Sequence, residues 1–200
     1  MFAPAERLPG MRSFLCADFL DFAASQLWRS AELRDLPACD AGRCPGLGHV
    51  QLLADAVAAR TDQSAAHLLR GFGSALFTPL VRRYPAFVVG LHATVDLVAC
   101  FDAHVAAEVE KLAPGICLPH VSVVARNGPL VEIAYHSRDG LADLAEGLLC
   151  GSVRHFAEPL VVEARAVARG SGGAMTFLLR PRTRPDPPGS RPRRTGSVAQ

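Results

Sequence analysis

YHSRDGLADLAEGLL, residues 135–149, contains a change of period. Tyr135 closes an alternating apolar run with Val131 and Ile133, the two-residue repeat of a strand, whereas Leu141, Leu144 and Leu148 return to helical spacing. Ser137 or Asp139 can cap the helix that begins near Gly140. Just upstream, Val121 and Val123 precede Asn127-Gly128, a dipeptide suited to the positive φ angles of a tight hairpin. Downstream, Leu160, Val162 and Ala164, a glycine-rich turn at Gly170 to Gly173, and Met175, Phe177 and Leu179 make a second hairpin. The C-terminal half therefore reads as β-β-α-β-β.

Farther upstream the pattern is helical throughout. Val98, Phe101, Val105, Val109 and Leu112 mark one long helix over about 93–112, ended by Pro114-Gly115. Ala66, Leu69, Phe72 and Leu76 mark another, with Asp62 placed to cap its start and Pro79 near its end. Val50, Leu53 and Val57 mark a third, and Met11, Leu15, Phe19, Phe22 and Leu27 a fourth that reaches Trp28. N-terminal helices followed by an antiparallel-sheet subdomain define an α+β fold. The expected organisation is an N-terminal extension over 1–10, one domain over 11–180 and a disordered, basic Pro/Arg-rich tail over 181–200. No internal repeat is present.

Half of the 200 residues are apolar, enough for a real core. The formal charge of +2 is uneven: residues 180–200 hold six arginines against the single acid Asp186, which leaves the body mildly acidic. Such a body lacks the clustered positive charge of a nucleic-acid surface. No run of about 18 apolar residues exists to span a bilayer, and MFAPAERLPGMRSF lacks the basic start and apolar centre of a signal peptide, so a cytoplasmic location is expected. Six cysteines are too dilute for a disulfide scaffold, and most are expected as free, core-like thiols. Cys39, Cys44 and His49 have the loose spacing of a zinc cluster, but no fourth ligand is evident. Neither a phosphate-binding glycine loop nor a nucleophile and base arrangement is found, so no catalysis is expected.

The residues quoted first also carry a family resemblance. Tyr135, Ser137 and Arg138, followed by a Gly-Leu helix ending in Glu146-Gly147-Leu148, resemble the Tyr-x-Ser-x-Arg motif and following helix of the haem nitric-oxide/oxygen binding (H-NOX) family. The resemblance extends from about Met11 to Leu179. Gly90 stands fourteen residues before His104, as the family's glycine stands before its iron-ligating histidine, and Ala113-Pro114-Gly115 and Leu118-Pro119 match the steps that follow.

The resemblance implies haem b between the helical part and the sheet, with His104 as the iron ligand. An imidazole is a standard axial ligand, and a phenol, a hydroxyl and a guanidinium suit the two propionates, so Tyr135, Ser137 and Arg138 are the implied partners. Pro119 is implied to press on the porphyrin, and Leu144 holds a distal position where oxygen-binding members carry a tyrosine. The implied function is a gas sensor that binds nitric oxide at ferrous iron and signals to a separate effector, such as a histidine kinase or a cyclic-di-GMP enzyme. Two departures stand beside this. Asp139 takes the motif's arginine place, and Arg138 matches only when counted back from Gly140; the His104 to Pro114 interval is two residues long, so counting back from Pro114 points to Ala106 instead. These departures leave a second expectation open, a haem-free relative that acts as a protein-interaction or apolar-ligand-binding module.

Overall fold

A computed structural model describes residues 11–26, 48–112, 118–138, 140–166 and 174–182. The helical part comprises α1 (Met11–Gln26), α2 (Gly48–Ala58) and α3 (Ala65–Arg83). A short 3₁₀ turn at Pro85–Phe87 leads to α4 (Thr94–Ala99), a π-helical turn (Phe101–Val105) and α5 (Ala106–Leu112). Strands β1 (His120–Asn127) and β2 (Leu130–His136), helix α6 (Ala142–His155), and strands β3 (Leu160–Ala166) and β4 (Ala174–Pro181) complete the order. The α+β class and the β-β-α-β-β order are as the sequence reads. Leu27 and Trp28, Cys39 and Cys44, Pro114-Gly115, Asp139, the Gly170 to Gly173 turn and nearly all of the basic tail lie outside the described residues.

Three local features differ from the sequence reading. The hairpin turn is Gly128-Pro129 rather than Asn127-Gly128, because Asn127 still pairs with Leu130 across the ladder. Gly128 has φ +59°, and a proline after it excludes a turn with two positive φ angles. Ser64, not Asp62, caps α3, its side chain accepting from the His67 N–H. Pro79 lies near the end of α3, as the sequence reads, and the helix runs on to Arg83. The long helix is broken into three parts, since the cap N–H of Ala106 bonds the carbonyl of Phe101, five residues back.

The four strands form one antiparallel sheet in the order β1-β2-β4-β3. Ile133, Tyr135, Phe177 and Leu179 share its buried face and pack with Val98, Leu149 and Val153. A separate helical core gathers Phe19, Leu53, Leu68, Leu69 and Phe72. Helix α6 belongs to both cores, giving Leu144 to the helical one and Leu149 and Val153 to the sheet. It also lies unusually close to α3. A Cβ at Gly147 would overlap the Arg70 carbonyl oxygen, and one at Gly73 would overlap that of Leu144, so these glycines let the two backbones touch.

Candidate functional site

Where the helical part meets the sheet, the core is left open as two adjoining chambers of about 140 and 160 Å³. Leu80, Phe87, Phe101, Val105, Pro119, Tyr135, Ala145 and Leu148 line both. One chamber reaches Ser152 and Phe177, the other Ser137, Leu141 and Leu144. The lining residues are apolar apart from Tyr135, Ser137 and Ser152. Alternation on β2 points Ile133 and Tyr135 inward together, and Tyr135 meets Phe177 of β4 edge to face at 5.7 Å.

Of the six residues singled out by sequence, four meet at the chambers: Pro119, Tyr135, Ser137 and Leu144. The other two stand apart. Arg138 is exposed just beyond the end of β2. His104 is half-buried on the flank of its helix, which turns Phe101, Val105 and Val109 to the chamber instead. Its Nε2 lies 2.6 Å from the Ala86 carbonyl oxygen. A carbonyl can only accept, so Nε2 carries the proton in this contact. Ala106, the position reached by counting from Pro114, is half-buried and absent from the lining too.

Other contacts frame the site and were not singled out in the sequence. Arg70 of α3 reaches Asp143 at 3.0 Å and Glu146 at 3.4 Å, both on α6. Burial pushes the Glu146 carboxyl above its usual range; Arg70 opposes this and Asp143 adds to it. Burial likewise raises the Cys150 thiol one turn on. Asp102, next to His104 on the π turn, pairs with His120 Nδ1 at 2.8 Å. Phe87 stands in both chambers through the turn after α3, a stretch whose Pro and Gly signals gave no hint of a wall residue. No group of side chains that could hold a metal ion occurs among the described residues, and none of their helices is long and apolar enough to cross a membrane.

The family model for haem-NO-binding proteins (HNOB) matches residues 48–164, well over half of the chain. The chain belongs to this family. Its fold is shared by solved H-NOX structures. An H-NOX protein from S. oneidensis in the Fe(II)NO ligation state aligns with a TM-score of 0.72 at 20% identity, covering 86% of this chain and 99% of that one. The Fe(II) unliganded H-NOX protein from K. algicida gives 0.71 at 18%, covering 86% and 97%. A point mutant of T. tengcongensis H-NOX gives 0.69 at 16%, covering 86% and 98%. No curated protein is matched.

Haem binding is the property for which the family is named, and the chamber lining suits that group in its chemistry but not in its volume of about 140 and 160 Å³. Apolar walls suit a porphyrin face, and the buried hydroxyls of Tyr135 and Ser137 suit carboxylates that would otherwise be buried without partners. The imidazole is placed beside the chamber rather than in its wall.

Proposed function

We propose that this protein is a haem-based gas sensor of the H-NOX type, one domain over 11–180 and cytoplasmic, with no catalytic step. Haem b supplies a ferrous iron to which nitric oxide can bind. In this reading His104 is the iron ligand, Pro119 presses on the porphyrin, and Tyr135, Ser137 and Arg138 serve the propionates. A separate effector, such as a histidine kinase or a cyclic-di-GMP enzyme, receives the signal. The observation that carries the reading is the convergence of Pro119, Tyr135, Ser137 and Leu144 on one apolar chamber in a chain of this family.

Gas preference follows from α6. It turns Leu141, Leu144 and Leu148 to the chamber and carries no tyrosine. Oxygen gains much from a hydrogen-bond donor, whereas nitric oxide depends more on iron itself, so these side chains favour nitric oxide. The purified protein titrated with haem is expected to develop a Soret band near 400 nm. The reduced protein should change its spectrum with nitric oxide and with carbon monoxide and form no stable oxygen complex in air. His104→Ala should lose most of the haem or hold it only with added imidazole; full loading with an unaltered spectrum would show that another residue is the ligand.

A second reading, a haem-free module for an apolar ligand, is favoured by the Ala86 contact of His104. The chamber volumes also favour it, since a space of roughly 150 Å³ takes a benzene-sized group. Haem titration without a Soret band would support this reading.

A further inference from the structure

The two chambers differ in what lines them. Both share the rings of Phe87, Phe101 and Tyr135. The first adds two more rings, Phe77 and Phe177, whereas the second adds five leucines, Leu15, Leu76, Leu118, Leu141 and Leu144. No charged side chain among the described residues lines either chamber, and almost all of the surface that faces them is carbon. The Ser152 hydroxyl is already occupied, since its Oγ lies 2.9 Å from the Leu149 carbonyl oxygen and 3.1 Å from the Thr94 hydroxyl.

The shared wall is also fastened from outside. The 3₁₀ turn at Pro85–Phe87 carries Phe87 into both chambers, and the Nε2–H of His104 donates to the Ala86 carbonyl oxygen in the middle of that turn. The imidazole therefore holds a chamber wall in place. Each chamber, at about 140 and 160 Å³, has the size that takes one benzene-sized group in a dry, apolar site. An aromatic ring gains edge-to-face contacts among phenylalanines, and a flexible aliphatic chain buries its carbons equally well among leucines. An ionised group in either chamber would lose its water and find no counter-ion.

We infer that the haem-free chain binds a neutral, alkyl-substituted aromatic molecule across both chambers, with its ring beside Phe77 and Phe177 and its chain beside Leu141 and Leu144. The inference rests on the second reading above, a haem-free module for an apolar ligand, and names the ligand class of that site. Because the chambers adjoin along a shared wall, one molecule fills the two, and each carbon of its chain adds to the apolar area buried.

The test titrates butylbenzene, benzene and 4-phenylbutylamine into the full haem-free chain and reads binding from its methyl and aromatic NMR signals. Butylbenzene should bind about tenfold more tightly than benzene, because its chain is buried as well. It should bind about a hundredfold more tightly than 4-phenylbutylamine, which has the same ring and chain but ends in an ammonium group. Intermolecular Overhauser contacts in the wild type should join the ring to Phe177 and the chain to the methyl groups of Leu141 and Leu144. Leu144→Phe, or Leu141→Phe where the first does not fold, should abolish the advantage of butylbenzene over benzene. An amine that binds as well as butylbenzene, Overhauser contacts elsewhere, or an advantage that survives the leucine variants overturns the assignment. Haem titrated into the same preparation separates the two failures. A Soret band beside intact butylbenzene binding sinks the haem-free reading and leaves the ligand class standing, whereas neither a band nor butylbenzene binding sinks the ligand class alone.

Discussion

Glu146 stands on α6 with Arg70 on one side and Asp143 on the other, and burial is the largest influence on its carboxyl. Its folded pKa lies above the ordinary 4.5, so the folded chain holds this proton to higher pH than the unfolded chain does. The group therefore favours folding at low pH, and that contribution is lost as pH rises through the folded value. Urea unfolding of wild type and Glu146→Gln should differ accordingly, with the wild type losing stability relative to the variant as pH rises above the ordinary 4.5. A difference that stays constant with pH would mean that burial does not perturb the carboxyl. The individual site residues were unequally legible. Tyr135, Ser137, Pro119 and Leu144 lie in strand, step and helix positions whose inward direction follows from simple periodicity. His104 does not, and the apolar repeat of Val98, Phe101, Val105 and Val109 already assigned the inward face to its neighbours. A motif count can choose a residue without fixing the side of the helix on which it stands.

Periodicity located each helix and strand; the joints between them were harder to read. A π turn costs one displaced hydrogen bond and leaves no mark in the apolar spacing, so the split of the helix over 94–112 was hidden. The Gly128-Pro129 turn was hidden because Asn-Gly is the commoner signal one residue earlier. Gly147 was visible as part of a family motif, but its purpose depends on the backbone of Arg70 and Ser74, far back in the chain. Gly147→Ala tests that purpose, since its methyl group would meet the backbone of Arg70 and Ser74 rather than a movable side chain. A loss of about 3 kcal/mol is expected in chemical denaturation, the upper end for overpacking, although alanine is the better helix former. Unaltered or raised stability would show that α3 and α6 can separate at little cost.

The sequence foretold two hairpins and a helical part but not how they join. The hairpins share one sheet through the β2–β4 pairing, and α6, which lies between them in the chain, packs on α3. The Arg70–Asp143 contact spans 73 positions. The helical core is therefore incomplete without the later half, and a fragment of residues 11–112 is expected to melt without a cooperative transition in circular dichroism. A sharp melt like that of the full chain would show that the helices fold alone. Synthesis gives the close α3–α6 seam another consequence. Helix α3 leaves the ribosome long before Gly147 and Gly151 are made, so its bare glycine face waits while the whole first hairpin is translated. During that interval the incomplete chain is expected to be aggregation-prone, so codon usage between Arg83 and Gly151 is expected to change the yield of folded protein without changing a single residue.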